Sequence, residues 1–327
     1  MTEPIRWGIL GTGNIAHQFA RGLADTADAT LVAVGSRSIE TANTFGDEFS
    51  IPRRHASYEE LATDDEVDAV YVSTPHPMHK DNSILLLEHG KAVLCEKPFT
   101  INAGEAKAVI DVARQRDIFL MEAMWTRYVP AVVRARELIA EGAIGDVRMI
   151  QADFGFRAGI NPEGRLFNPD LGGGALLDVG IYVLSMASMV LGPHPVDIMS
   201  ASHIGETGVD EQSGMILSYP DGKLAVLSCA VRTSTAVEAR IFGTEGSILL
   251  HSPFFKCGAL TVKRGGDEEF IDLPLAGNGY NYEAAEVGQC LRRGLKESDI
   301  MSLEETLALM ELLDTIRAQW GLTYPME

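Results

Sequence analysis

WGILGTGNIA, Trp7 to Ala16, runs from an apolar, β-rich segment through a glycine turn into the first residues of an amphipathic one. Gly11 permits the tight turn, Gly13 lets a backbone approach a pyrophosphate, and Ala16 is small enough for helix and strand to pack closely. Amides at the start of such a helix lack intrahelical partners and suit a phosphate. An ordinary strand-to-helix turn has the same local appearance. Position favours a dinucleotide, because the turn follows the first strand candidate inside a β-α-β pattern.

Working outward, strand candidates recur at Arg6 to Leu10, Thr30 to Gly35, Ala69 to Ser73, Ala92 to Cys95 and Ile118 to Met121. Helical segments lie between them, several with Ser, Thr or Asn placed as an N-cap. Strands alternating with helices predict a doubly wound parallel sheet of Rossmann type over residues 1–123. After Trp125 the texture changes. A helix, a strand (DVRMIQADFGF) and a Gly-rich break leading into GIYVLSMASMVLG precede seven alternating strands with no helical interruptions. YPDGK, Tyr219 to Lys223, joins two of them as a hairpin. Residues 124–327 are therefore expected to form an α+β domain around a large open, predominantly antiparallel sheet, the last helix, 303–320, packing back on the first domain.

Lys plus Arg number 27 against 46 Asp plus Glu, a formal charge of −19, which repels phosphate backbones and anionic lipid. Nucleic acid and membrane are thus not expected partners; a small molecule is. The four cysteines form no C-x-x-C and the chain opens without a basic-then-apolar leader, so a reduced, cytoplasmic protein without a metal is expected. The apolar stretches fall short of the roughly 20 residues that span a bilayer.

Where an NAD site usually carries an acid, the second strand ends in Ser36, Arg37 and Ser38. A guanidinium there suits a 2′-phosphate, so NADP is favoured, with NAD possible. His76 and His79 follow the next long strand, at the sheet edge where ligands bind in such folds, and read equally as polar loop residues. In AVLCEKPFT, Lys97 stands at the same edge, its backbone restricted by Pro98. An ammonium held there can stabilise a developing oxyanion or lower a neighbour's pKa; alone it reads as a surface lysine paired with Glu96. GGGALLDVGIY places Asp178 and Tyr182 four apart in an apolar helix. A buried carboxylate needs a cation, for which Lys97 is a candidate, and Tyr182 handles protons near neutral pH only if a cation favours its phenolate. Without that cation Tyr182 reads as a core aromatic.

Together the G-x-G-x-x-A turn, EKP and GGGALLDVGIY resemble the glucose-fructose oxidoreductase, inositol dehydrogenase and rhizopine catabolism (Gfo/Idh/MocA) family. HPMHK, FLMEAMWTRYVPA and the tyrosine at 182 are similar to its branch of dihydrodiol and D-xylose dehydrogenases. The resemblance implies NADP-dependent hydride transfer at a secondary alcohol or hemiacetal carbon of a sugar, polyol or trans-dihydrodiol, with Lys97 and Tyr182 as catalytic pair and Asp178 orienting Lys97 or the substrate. Gly11, Gly13, Asn14, Ile15, Ser36, Arg37 and Ser38 would hold the cofactor, joined by Thr74, His76, His79, Glu96 and Lys97 along the strand ends. Trp125 would touch both ligands, and Arg127, Phe154 and Arg157 the substrate. The Lys97–Pro98 bond is implied to be cis, and the second sheet to pair two copies as a homodimer or larger assembly. GFRAGINPEGRLFNPDL and SPFFKCG differ from the dihydrodiol patterns and are loops able to form pocket walls, so the substrate stays open among these classes. A sugar–sugar oxidoreductase retaining its NADP, or a dinucleotide sensor without chemistry, are the alternatives.

Overall fold

The computed structural model describes residues 3–327. The chain divides into two compact units, 1–125 with 276–307, and 126–275 with 308–327. In the first unit, six strands β1 (Ile5–Leu10), β2 (Ala29–Gly35), β3 (Arg53–His55), β4 (Ala69–Val72), β5 (Ala92–Glu96) and β6 (Leu120–Ala123) alternate with helices α1 (Asn14–Ala24), α2 (Ile39–Phe49), α3 (Tyr58–Ala62), α4 (His79–Glu88) and α5 (Ala103–Arg116). All pairs are parallel, in the order β3-β2-β1-β4-β5-β6, so the order reverses between β1 and β4. Every residue of β4, β5 and β6 is buried, as a sheet covered on both faces requires. Ser38, Ser57 and Asn102 cap α2, α3 and α5 by accepting a backbone N–H three residues on. Strand β3, only three residues long, carries no periodicity to announce it.

The second unit begins with α6 (Pro130–Ala140) and β7 (Val147–Gly155), continues through α7 (Ile181–Leu191), and then runs β8 (Asp197–Ile204), β9 (Asp210–Ser218), β10 (Leu224–Ala230), β11 (Ala239–Gly243), β12 (Gly246–Leu250), β13 (Ala259–Arg264) and β14 (Asp267–Asp272). The sheet order is β14-β13-β12-β11-β7-β10-β9-β8, antiparallel except where β10 runs parallel to β7. The Tyr219–Lys223 turn joins β9 to β10 as an antiparallel hairpin. Helix α7 packs on β7 and β10. Along the outer strands the registered row Met199, Ile216 and Val226 is exposed, and Phe270 is 62% exposed on β14. The stretch Pro169–Leu191 is long and apolar enough to cross a bilayer, beyond the length expected from the sequence, but 83% of its apolar window is buried, which makes it the core helix of this unit.

Two last helices, α8 (Tyr280–Arg292) and α9 (Leu303–Trp320), close the chain. The segment that rejoins the first unit is 276–307, which contains α8, whereas most of α9, expected to make that return, belongs to the second unit. The reason lies in α1: Gly22 leaves so little room that a Cβ there would stand 2.8 Å from the Cβ of Tyr280, and α8 packs against that face. Trp320 and Gln319 of α9 instead bond to Ser200 and Ile198 of β8.

Candidate active site

The glycine turn ends β1. Gly11 has φ +103°, and a Cβ on it would meet Ser73 at 3.0 to 3.2 Å, so both backbone conformation and packing demand glycine. Gly13 is different. A Cβ there would touch nothing within 4 Å, so the protein's own packing does not call for glycine. Gly13 is also the N-cap of α1 and supplies no side-chain cap. The start of α1 therefore keeps an open cradle beside uncapped amides, which fits a pyrophosphate. At the end of β2, Ser36 is buried and bonds Thr41, Ser38 caps α2, and Arg37 is exposed beside Tyr58.

At the next strand ends Thr74 and His79 are buried, while His76 and Lys97 are half-buried. His79 is enclosed completely, its ring nitrogens 2.8 Å from the Thr74 carbonyl and 3.0 Å from that of Pro98. Burial, with a smaller contribution from the Lys97 charge, pushes its pKa down. The ring thus ties the end of β4 to the residue after Lys97, a supporting position rather than an open one. The Lys97–Pro98 peptide is cis.

Glu96, read from the sequence as a surface or ion-pair residue, is buried. Its Oε1 accepts the hydroxyl of Tyr71, and its Oε2 accepts the Lys97 N–H at 3.1 Å. Tyr71 is fully buried and stacked on Phe19, so the carboxylate is fixed from below by the core. Glu283 of α8 is buried nearby, with neither carboxyl oxygen hydrogen-bonded among the described residues. Burial and then the Glu96 charge push its pKa well up. Trp125 stacks on Tyr280 at 4.7 Å, and Gly279 is glycine because a Cβ would lie 2.6 Å from the indole.

In the second unit, Leu176–Gly180 winds as one π turn before α7. Asp178 lies within it and Tyr182 just beyond, so their separation is not that of a regular α-helix. Asp178 is buried and its Oδ1 accepts from Arg165 Nη1 at 2.5 Å. This cation was not singled out from the sequence, although it lies in the GFRAGINPEGRLFNPDL loop. Tyr182 is 7% exposed, its ring 5.3 Å from Phe154 and 5.6 Å from Phe255, which stack on each other at 4.5 Å. Phe255 belongs to SPFFKCG. Arg127, expected to touch substrate, is 2% exposed and spends Nε and Nη2 on the hydroxyl and carbonyl of Ser185, both at 2.9 Å. It fastens α7 three residues past Tyr182. Arg157 is exposed and bridges the Arg232 backbone.

A six-stranded parallel sheet whose first strand ends in an open glycine turn is the frame of a nicotinamide-dependent oxidoreductase. Residues 5–124 match the oxidoreductase family with an NAD-binding Rossmann fold, and residues 132–249 match the GFO/IDH/MocA C-terminal domain. The chain belongs to the GFO/IDH/MocA oxidoreductase family. It is 38% identical over 331 residues to the trans-1,2-dihydrobenzene-1,2-diol dehydrogenase of Xenopus tropicalis, covering 98% of this chain and 99% of that one. Among solved structures it is similar to the aldose-aldose oxidoreductase of Caulobacter crescentus complexed with glycerol, with 25% identity, 98% coverage of each chain and a TM-score of 0.89. It is also similar to a 3-ketoreductase from Actinomadura kijaniata in complex with NADP and TDP-benzene, with 26% identity, 97% and 98% coverage and a TM-score of 0.84.

Proposed function

We propose that the chain transfers hydride between NADP and a secondary alcohol or hemiacetal carbon of a sugar, polyol or trans-dihydrodiol. The observation that carries this reading is the open cradle at Gly13 combined with Arg37, rather than an acid, after β2. Backbone amides of Gly13, Asn14 and Ile15 hold the pyrophosphate, and Arg37 with Ser36 and Ser38 takes the 2′-phosphate. Bound nicotinamide supplies the hydride acceptor or donor. In the oxidative direction the Tyr182 hydroxyl, as phenolate, takes the substrate's hydroxyl proton at Oη, and in reverse returns it. Lys97 supplies the cation that holds the phenolate, and Asp178 with Arg165 orients substrate hydroxyls. The phenyl groups of Phe154 and Phe255 exclude water around Tyr182.

A panel of pyranose sugars, polyols and trans-dihydrodiols, followed by nicotinamide absorbance, tests the reading. Turnover with at least one class, faster with NADP than with NAD, is expected; none across the panel moves the protein to a non-catalytic sensor. In the same assay Arg37→Ala should weaken NADP binding about ten- to a hundredfold while NAD binding changes little, as loss of charge-assisted phosphate contacts dictates. Equal loss for both cofactors removes the 2′-phosphate role. The exposed row Met199, Ile216 and Val226 supports pairing of two copies through the second sheet, and a sedimentation mass of a single chain would exclude it. Four buried, free thiols suit a reducing cytoplasmic setting.

A further inference from the structure

Asp210, at the start of β9, is fully buried. Its Oδ2 accepts the Leu176 N–H at 2.7 Å, and the Ala175 amide adds to the favourable field. These amides open the helical segment that carries Asp178 and Tyr182, and an anionic side chain is the natural partner for such unpaired donors. The third glycine of GGGALLD follows from this contact. Gly174 has φ +116°, and a Cβ on it would lie 2.2 Å from Asp210 Oδ1. The other two serve the loop itself: Gly172 has φ +66°, and a Cβ on Gly173 would crowd the Asn168 carbonyl at 2.9 Å. The charged and titratable groups that face Asp210 are Arg317 of α9, Tyr324 beyond it and Cys229 of β10. Tyr324 in turn donates its hydroxyl to the Gly173 carbonyl at 2.7 Å, closing the loop from the other side.

We propose that Asp210 is a positioning residue that anchors the first turn of the helix bearing Asp178 and Tyr182 and thereby holds both at their working places. The proposal rests on the reading of those two residues as reacting groups. Burial, opposed by the helix amides, raises the Asp210 pKa from 3.8 to about 7. A pKa above its value in water means that the buried place holds the protonated carboxyl more firmly than the charged one, so the anchor loosens as pH rises through about 7.

Asp210→Ala and the isosteric Asp210→Asn test this, with three measurements on the full chain. Hydrogen exchange by mass spectrometry should show faster exchange over residues 174–182 in Asp210→Ala. Its kcat should fall about ten- to a hundredfold, with KM within about threefold and NADPH binding unchanged, because a small misplacement of reacting groups acts on the chemical step. Asp210→Asn keeps the shape and should fold even if the alanine variant does not; the wild type should show an inflection of kcat near pH 7, and this variant should lack it. Unchanged exchange over 174–182, or unchanged kcat in Asp210→Ala with an unchanged pH profile in Asp210→Asn, overturns the proposal. Tyr182→Phe run alongside separates the two readings: if that variant is fully active, the assignment of Tyr182 fails, while the exchange result still decides whether Asp210 anchors the helix.

Discussion

Lys97→Met should abolish turnover, with kcat lower by about 10³-fold, while the fold persists. The magnitude is that of removing a preorganised charge aimed at a developing oxyanion. The structure makes the substitution clean. Lys97 lies at the exit of β5, half-buried, and what fixes its backbone does not involve its ammonium: Glu96 Oε2 takes its N–H, and His79 faces the carbonyl of the following proline. Methionine keeps the length and apolar stem and removes only the charge. Steady-state kinetics beside near-ultraviolet dichroism check it, and activity within about tenfold of wild type would remove Lys97 from the chemistry.

The second large effect is expected from Tyr182→Phe, which deletes one oxygen from a ring packed against the stacked pair Phe154 and Phe255. Phenylalanine fits the same cage, so stability should change little. General acid–base transfer is worth about 10² to 10⁴, and kcat should fall by that factor with KM nearly unchanged. A variant whose KM rises while kcat holds would make Tyr182 a binding residue.

Much of this architecture is written locally. The glycine turn before α1, the short apolar strands and the Ser and Asn caps each depend on neighbours in sequence, and β1, β2, β4, β5 and β6 form within two residues of their expected bounds. The hairpin at Tyr219–Lys223 follows from its turn residues. What the sequence hid depends on partners far along the chain. Glu96 could not be placed inside without Tyr71, 25 residues earlier, and the return of α8 depends on the space left by Gly22. Arg165 reaches Asp178 from a loop with no regular pattern. The π turn at Leu176–Gly180 looks, in sequence, like an uninterrupted apolar helix. GGG was visible as a motif, but the reason for its third member is a carboxylate 36 residues away, at Asp210.

If Lys97 and Tyr182 serve one proton transfer, their double variant reveals it. With kcat measured for Lys97→Met, Tyr182→Phe and the two combined, residues acting as a unit give non-additive losses. A double variant within about threefold of the worse single one is expected. Losses that multiply would show two independent contributions and contradict it.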